Sequence, residues 1–354
     1  MSNLELMHSI IQRIATGPDL SKNIEFDEAR EAMQGILRGE IDDVQSAVFL
    51  IALRMKRETI EENKGILAAV IGESNKLNVD VDNLVDLGDP YSGYNRSIPI
   101  SSFLPPLLAE LGIPTVIHGL ESVSPKYGLT HRHVYKSMGL NVSSSISDAK
   151  KRLEDSSLGW TYIDQNSYCP GLHNLVHLRN LVIKRTAINT IETLVAPLKG
   201  HKTHSVLGYV HKPYPPIYAD LADFAGINTS LLIRGVEGGV VPSLRQKGLM
   251  VSYSGKDELD RVDIDPSSLG IKQDFRAISF PQNLDIKNNI KDLAEYTTNL
   301  GIEALSGEKG MYYDGLLYSS SLIIWHLSMA PSLKDAAEMV RDKLDSRKAL
   351  ERLS

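Results

Sequence analysis

The chain has 354 residues, 42% of them hydrophobic, which is enough for one large domain or two smaller ones with a substantial buried core. Its formal net charge of −6 gives no overall reason to expect nucleic-acid or anionic-membrane binding, although a local basic patch is still compatible with it. The single cysteine, Cys169, excludes an internal disulfide, and the first residues lack the pattern of a signal peptide. No run reaches the roughly 20 apolar residues of a membrane helix. We therefore expect a cytoplasmic protein with no membrane partner.

The N-terminal quarter predicts a small helical bundle. Apolar residues recur on one face of a segment that ends at Gly39, and Asp42 or Asp43 can cap the next helix. Thr59 followed by Glu62 forms a capping-box pattern that opens a further helix. The apolar stripes predict core or subunit interface, and nothing here indicates chemistry.

From Leu84 onward, short apolar strands alternate with helices. Strands are predicted at LVDLG, IPTVIHG, YID and SVLGYV, with a later candidate in RAISFPQ, whereas HKPYPP predicts an irregular loop. The chain after Ile286 is predicted to be mainly helical. This alternation is typical of a parallel sheet covered by helices, in which ligands bind at the carboxyl ends of the strands. Two segments, 88–102 and 118–126, are therefore candidate ligand loops.

A third candidate loop is IRGVEGGVVPSLRQ, at 233–246, which follows an apolar run. It carries three glycines and three charged residues: Gly235, Gly238, Gly239, Arg234, Glu237 and Arg245. Glycine permits unusual backbone conformations and lets a ligand approach main-chain N–H groups. The loop predicts an anion site or, alternatively, a turn whose charges face water.

Other polar groups also permit two interpretations. Arg96 with Ser101 and Ser102 could hold a phosphate at a helix start, or the two serines could be ordinary helix caps. His173 and His177 have a spacing that suits a metal, but no further ligand completes a zinc pattern, so surface or capping histidines are expected. The cysteine carries no sign of activation and is expected to be a small buried residue.

Three segments together resemble the anthranilate phosphoribosyltransferases, a family that shares its fold with the pyrimidine nucleoside phosphorylases. They are FDEAREAMQGILRGEIDDVQSAVFLIALRMKRETIEE, TVIHG followed by SVSPKYG, and ALSGEKGMYYDGLLYSSSLIIW with SLKDAAEMVRDKLDSRKAL. The resemblance covers nearly the whole chain and implies an α/β fold with two domains. A small helical bundle domain, 1–78 with 165–186, would form a homodimer. A larger α/β ligand-binding domain, 79–164 with 187–354, would have a central, mainly parallel sheet.

Several motifs of that family are altered. The glycine-rich pyrophosphate loop GTGGD becomes LGDPYSGYNRS, where only Gly88 and Gly93 remain, and N-I-S-T becomes P-I-S-S at 99–102. K-H-G-N-R becomes I-H-G-L-E, which keeps His118 and Gly119 but loses both basic residues.

Other positions follow the family pattern more closely. Lys126 matches the family's S-K-S-G, and Arg179 falls where an arginine contacts the aromatic acceptor. Cys169 stands where the family has a nearby histidine.

The loop at 233–246 corresponds to the family loop G-x-D-G-x-D-E, whose adjacent acidic pair holds magnesium against the pyrophosphate. Val240 and Val241 stand at those positions and offer no oxygen ligands. Phosphoryl leaving groups depend on metal or basic side chains for charge stabilisation. We therefore expect no magnesium or other cofactor and no anthranilate transfer, and we assign no catalytic residue.

The sequence also resembles a divergent branch of the family that carries R-G-x-E-G and C-P-x-L, matched here at 234–238 and 169–172. Some members of that branch are dimeric nucleic-acid-binding proteins. Our first hypothesis is a phosphoribosyltransferase-like protein that binds an anionic, phosphate-containing ligand in the interdomain cleft and, if it is an enzyme, is a pentosyl-type glycosyltransferase of altered substrate. The candidate ligand residues are Gly88, Arg96, Ser101, Ser102, His118, Gly119, Lys126, Arg179, Arg234, Gly235, Glu237 and Arg245.

The alternative hypothesis is a non-catalytic, nucleic-acid-binding homodimer. Its basic groove would be assembled from Arg96, Lys126, Arg132, Lys184, Arg185, Arg234, Arg245 and Lys247. A third possibility is a structural paralogue that forms a heteromer with another enzyme.

Overall fold

The computed structural model describes residues 3–17, 19–255 and 259–353. Its helices in these ranges are α1 (Asn3–Ile14), α2 (Phe26–Leu37), α3 (Asp43–Lys56), α4 (Ile60–Gly72), α5 (Leu104–Glu110), α6 (His131–Ser137), α7 (Ile146–Glu154), α8 (Gln165–Tyr168), α9 (Pro170–Asn174), α10 (Val176–Val182), α11 (Ile188–Ile191), α12 (Tyr214–Phe224), α13 (Ile290–Leu305), α14 (Met311–His326) and α15 (Leu333–Ser346). The strands are β1 (Leu77–Asn78), β2 (Asn83–Gly88), β3 (Thr115–Gly119), β4 (Trp160–Asp164), β5 (Leu198–Lys199), β6 (Lys202–Gly208), β7 (Thr229–Ile233), β8 (Gly248–Tyr253) and β9 (Asp260–Ile264). Among the described residues, no helix is long and apolar enough to cross a membrane.

The predicted N-terminal bundle is present, and its predicted caps are confirmed. The Asp42 carboxylate accepts a hydrogen bond from a main-chain N–H of α3, and Thr59 and Glu62 form the capping box of α4. Glu62 is buried and also accepts a hydrogen bond from the Lys56 ammonium at 2.6 Å. The later helix α9 packs on α2 so closely that a Cβ at Gly171 would lie 2.6 Å from the Leu37 carbonyl oxygen. Residues beyond 165 thus join the helical bundle.

The central sheet is mainly parallel, as predicted. Its strand order is β4-β3-β2-β6-β7-β8-β9, in which the first five strands run parallel and β8 pairs antiparallel with both β7 and β9. β1 and β5 pair separately, also in parallel. The carboxyl ends of β2, β3, β6 and β7 therefore lie at one edge, where the loops that follow them meet.

Both faces of the sheet are covered, because successive side chains of a strand point to opposite sides. Val116 of β3 packs into an apolar cluster with α4 and α12, whereas Ile117 packs into a second cluster with α5 and α14. In β7, Leu232 packs into the first of these clusters and Leu231 into the second. The exact boundaries of the two predicted domains stay a prediction.

Two expectations about elements are wrong, and one hairpin is absent from the sequence predictions. RAISFPQ forms no strand in the described chain, since its β-pairing is limited to an isolated bridge from Ser279 to Ser97. HKPYPP is only partly a loop, because α12 begins at Tyr214 with prolines in its first turn, where a missing N–H costs nothing. The β8–β9 hairpin was not predicted, because β9 lies at the sheet edge with charged, solvent-facing residues and shows no apolar alternation.

Candidate anion site at the carboxyl edge of the sheet

The three candidate loops, 88–102, 118–126 and 233–246, meet at the carboxyl edge of the sheet, where Lys126 connects them. The Lys126 ammonium donates to the Gly93 carbonyl oxygen and to the Glu237 carbonyl oxygen, each at 2.9 Å. The Tyr94 backbone pairs with Leu129 in an isolated antiparallel bridge. Burial lowers the pKa of Lys126 from its usual value, although the nearby Glu237 carboxylate opposes this effect. The predicted ligand residue Lys126 therefore already uses donors to hold the loops together.

The Glu237 carboxylate is bound by the loop that follows β2. It accepts hydrogen bonds from the N–H groups of Asn95 at 3.2 Å, Arg96 at 3.0 Å and Ser97 at 2.9 Å, and from the Ser97 hydroxyl at 2.9 Å. The Lys126 ammonium lies 3.6 Å from the other side of the carboxylate. The Glu237 side chain is only 2% exposed. The loop predicted to bind an anion is thus occupied by a carboxylate from the same chain.

Glu237 adopts a backbone conformation that non-glycine residues avoid. Its φ is 55° and its ψ is 13°, in the left-handed region. This conformation costs about 1–2 kcal/mol, whereas a hydrogen bond to a charged group contributes roughly 1.5–3 kcal/mol. The four hydrogen bonds to the carboxylate therefore offset the strain.

The glycines of the 233–246 loop serve main-chain packing. A Cβ at Gly235 would lie 1.6 Å from the Gly239 carbonyl oxygen, and a Cβ at Gly239 would lie 1.7 Å from the Tyr94 hydroxyl oxygen. At Gly208, at the end of β6, a Cβ would lie 2.2 Å from the Gly238 carbonyl oxygen. At these glycines the space beside the Cα atom is filled by the protein itself, and access of a ligand to their N–H groups stays a prediction.

Ser101 and Ser102 do not cap a helix with their side chains, and both hydroxyls are hydrogen-bonded within the protein. Their contact with a phosphate stays a prediction. Ser101 donates to the buried Asp89 carboxylate, and Ser102 shares a hydrogen bond with His131 at 2.8 Å. His131 and the Val240 N–H also contact Asp89, at 2.8 and 2.9 Å. Burial alone would raise the pKa of Asp89, but His131 and Ser101 hold it below its usual value. The two serines form part of a closed polar cluster under the loop.

The positions of the family's acidic pair lie in an apolar environment. Val240 and Val241 are both buried and belong to the cluster that contains α5 and α14. Within the described ranges, no group of three or more His, Cys, Asp and Glu side chains is arranged to hold a metal ion. Magnesium requires oxygen ligands, so the residues at this position do not fit a magnesium site. That the protein needs no cofactor stays a prediction.

Arg179 is held by an acidic partner. Its guanidinium forms a two-pronged ion pair with the Glu192 carboxylate, with both distances 2.8 Å. Gln165 donates a further hydrogen bond to the same carboxylate. Both side chains of the pair are buried, so the predicted contact of Arg179 with a ligand is not available in this conformation.

His118 belongs to a buried hydrogen-bond chain. Its Nε2 contacts Asp86 at 2.8 Å, and its Nδ1 contacts the Tyr91 hydroxyl, which in turn contacts the Tyr168 hydroxyl. The His118 side chain is fully buried, and Gly119 at the end of β3 is buried as well. The structure therefore places both predicted ligand residues in the interior.

The predicted arginines lie at the surface around the loop. The Arg96 side chain is 79% exposed and approaches the Glu237 carboxylate only to 3.9 Å. Arg234 and Arg245 are exposed and have no ion-pair partner among the described residues. Of the predicted set, the structure brings Arg96 and Lys126 to Glu237, and Gly88 lines the same cavity as Glu237.

A cavity of about 110 Å³ lies beside this loop, between the helical bundle and the sheet edge. Gly88, Arg54 of α3, Arg185 and Glu237 contribute to its wall. Neither Arg54 nor Arg185 has an ion-pair partner among the residues that the structure describes. The cavity also has aromatic walls and polar groups from α11 and from the segment after β6.

Two buried hydroxyl groups in the cavity wall have no hydrogen-bond partner in the part of the chain that the structure describes. They are the hydroxyls of Thr186 and Tyr209, whose residues are almost wholly buried. A buried hydroxyl without a partner costs free energy, so hydrogen bonds from these two hydroxyls to a polar ligand would be favourable. Motif reasoning missed Arg54, Thr186 and Tyr209, because no sequence pattern links residues that meet only when the bundle folds onto the sheet.

The structure shows the environments of the cysteine and of the two histidines considered for a metal site. Cys169 is a free, buried residue, as predicted, and burial raises the pKa of its thiol, so it is a poor nucleophile. His177 is exposed, and the Nδ1 of His173 is buried with no hydrogen-bond partner among the described residues. Neither histidine belongs to a metal-binding group of the described chain.

The sequence matches family models along most of its length. The helical bundle domain of the glycosyl transferase family matches residues 8–72, and the α/β domain of that family matches residues 92–350. An uncharacterised protein from Aquifex aeolicus is 28% identical over 95% of this chain and 98% of its own length. Anthranilate phosphoribosyltransferase from Petrotoga mobilis is 25% identical over 97% of this chain and 94% of its own length.

Solved structures show the same fold. Anthranilate phosphoribosyltransferase from Thermus thermophilus superimposes with a TM-score of 0.73, covers 98% of this chain and 97% of its own, and is 19% identical. The enzyme from Saccharomyces cerevisiae in complex with PRPP and Mg gives a TM-score of 0.76 over 99% and 96% of the two chains at 17% identity. At these identities the likeness concerns the fold alone. The two family domains, matched in order, identify the chain as an anthranilate phosphoribosyltransferase-like member of the glycosyl transferase family.

Proposed function

We propose that this protein binds a small, phosphate-containing anion in the cavity beside Arg54 and Arg185 and does not perform magnesium-dependent anthranilate transfer. The observation that carries the proposal is that two arginines without an ion-pair partner line the same cavity as the Thr186 and Tyr209 hydroxyls, which lack a hydrogen-bond partner, both absences holding for the described residues. Arginine matches the geometry of phosphate and carboxylate, and hydroxyl groups can donate to the remaining oxygens.

The shape of the cavity favours a ligand that combines an anionic group with a ring. Gly88 and Gly208 form part of its wall at the ends of β2 and β6, where an added Cβ would lie 2.3 Å from the Leu207 side chain and 2.2 Å from the Gly238 carbonyl oxygen, respectively. His211, Tyr214 and Tyr218 form a row of rings along another wall, with centroid separations of 6.2 and 6.0 Å. A sugar phosphate, with or without an attached base, has both features.

The site chemistry argues against the transfer reaction. Val240 and Val241 offer no metal ligands, and Arg179 is neutralised by Glu192. In the loop that corresponds to the family's pyrophosphate loop, the Glu237 carboxylate already occupies the N–H groups of residues 95–97. We therefore expect no consumption of anthranilate when phosphoribosyl pyrophosphate and magnesium are supplied.

The test is a binding series on the whole chain. Ribose 5-phosphate, phosphoribosyl pyrophosphate, pyrophosphate and nucleoside monophosphates are titrated with and without magnesium by calorimetry and thermal shift. At least one of them should stabilise the fold without magnesium, and R54Q and R185Q should each weaken its binding at least tenfold, whereas R347Q, at an exposed distant arginine, should not. Stabilisation by none of these ligands, or unchanged binding in R54Q and R185Q, contradicts the proposal.

Nucleic-acid binding is tested in the same series. Two of the eight basic residues considered for a groove are largely buried and bonded within the chain: Lys126 to the loops, and Arg132 to Glu121 and Asp164. The small-anion proposal predicts weak binding of single-stranded and duplex oligonucleotides even at low salt. Tight binding that falls steeply as salt rises would favour the alternative instead.

A further inference from the structure

The hydrogen-bonding groups around Glu237 have the arrangement of an oxyanion receptor. Three successive N–H groups, from Asn95 to Ser97, and the Ser97 hydroxyl point at one carboxylate, with distances from 2.9 to 3.2 Å. Successive main-chain N–H groups that converge in this way bind anions. The Lys126 ammonium and the Arg96 guanidinium lie at 3.6 and 3.9 Å and add positive charge.

The bound carboxylate shows that this loop accepts an anion. Its side chain is almost completely buried, so the contact is not an incidental surface pairing. Glu237 holds it there from a left-handed backbone conformation, which glycine adopts more readily than glutamate. The chain therefore keeps a strained glutamate at a position where a glycine would fit more easily.

Glu237 also lines the cavity that contains Arg185. If its carboxylate were removed, the three N–H groups and the Ser97 hydroxyl would lose their acceptor next to an open space, and the Ser97 groups are partly shielded from water. Such groups have a high cost unless an acceptor replaces the lost one. A phosphoryl or carboxylate group is the chemical class that would restore these hydrogen bonds and match the charge of Lys126.

We propose that residues 95–97 with Lys126 form an oxyanion site whose built-in occupant is the Glu237 carboxylate, so that Glu237 determines specificity by excluding phosphoryl groups from this loop. The glutamate thus separates the loop from the adjacent cavity and confines any external anion to the arginine side. This inference concerns a different set of donors from the Arg54 and Arg185 cavity, and it does not depend on the ligand proposed for that cavity.

The test removes the carboxylate while keeping the backbone. E237G suits the observed φ, and E237Q keeps the side-chain volume without the charge. Both are made in the R54Q/R185Q background, so that binding in the cavity does not contribute, and E308G at an exposed glutamate serves as the control. Binding of inorganic phosphate, pyrophosphate and acetate is measured by thermal shift and calorimetry, with chloride at equal ionic strength as reference.

The expected result is at least a tenfold gain in affinity for phosphate and acetate in E237G over its background, a smaller gain in E237Q, and none in E308G. If E237G is destabilised, acetate should restore its melting temperature and chloride should not. A folded E237G that binds these anions no better than its background, or a destabilised one that acetate does not restore, overturns the inference. Failure of R54Q or R185Q to alter ligand binding in the wild-type background would instead count against the proposed function alone.

Discussion

Arg179 and Glu192 form a buried ion pair in which two guanidinium nitrogens each lie 2.8 Å from a different carboxylate oxygen. The side chains are 3% and 1% exposed, so water does not screen the interaction. The arginine stands where the family resemblance implies contact with the aromatic acceptor. An acceptor carboxylate would have to compete with Glu192, which is already in place.

Removing one charge of this pair should destabilise the fold. E192Q leaves the Arg179 guanidinium buried without its counter-charge, and losses of about 3–5 kcal/mol are typical of such changes. Urea denaturation of E192Q, R179M and the double variant R179M/E192M measures the effect. The double variant should lose clearly less than the two single losses added together, because neither charge remains unpaired. A loss below about 1 kcal/mol in E192Q would show that the pair contributes little.

Much of the fold is predictable from local patterns. The parallel strands β2, β3 and β4 were predicted, because each is a short apolar run next to a turn or a helix signal. The caps at Asp42 and Thr59 were predicted for the same reason: a cap depends on residues three positions apart. β8 and β9 were missed, since pairing at a sheet edge depends on a neighbouring strand and not on apolar alternation.

The location of the candidate site could be predicted from the sequence, but the hydrogen bonds within it could not. Strand order placed the loops after β2, β3 and β7 at one edge, and the glycines marked the 233–246 loop as unusual. The hydrogen bonds between the Glu237 carboxylate and the loop after β2 could not be predicted, because Glu237 and Asn95 are separated by 142 residues. That Arg54 and Tyr209 line the same cavity was also not predictable, because they are far apart in the sequence.

The glycines of the site loop should be intolerant of even one added methyl group. G235A would place a Cβ 1.6 Å from the Gly239 carbonyl oxygen, so the loop must shift and its contacts must break. We expect a loss of at least 2 kcal/mol in unfolding free energy, within the range of overpacking changes of about 1–3 kcal/mol. G310A is the matched control, since a Cβ there meets nothing within 4 Å and its φ of 164° is an extended conformation. Equal stability of the two variants would contradict this view of the loop.

Stability should fall in mild acid because of a buried histidine pair at the opposite end of the sheet. His204 and His326 both contact the Thr229 hydroxyl, at 2.8 and 2.9 Å. Burial lowers the pKa of His204 to about 4, and burial together with the nearby His204 lowers the pKa of His326 to about 4. In the unfolded chain both titrate near pH 6.5, so between pH 6.5 and 4 the unfolded state binds more protons.

The stabilisation is therefore complete above pH 6.5 and is lost as the pH falls towards 4. The loss is on the order of 3 kcal/mol per histidine. The unfolding free energy, measured by urea denaturation between pH 4 and 7, should decrease as the pH falls, and H204Q should make this pH dependence weaker. H177Q, at an exposed histidine, should leave the slope unchanged. A wild-type profile that is flat over this range would exclude the effect.

The exposed face of α3 should mediate the homodimer that the family resemblance implies. Val44 and Met55 are 74% and 73% exposed, and with Val48 they lie on one face of the helix, four and seven residues apart. Leu181 and Ile183, on and just after the adjacent α10, are also exposed. Since exposed apolar patches mark interaction sites, we expect the wild-type chain to be a dimer by light scattering at micromolar concentration. V44E/M55E should shift it to monomer, whereas F275E, at an exposed apolar residue of the α/β region, should not. A monomeric wild type, or a dimeric V44E/M55E, would show that this face is not the interface.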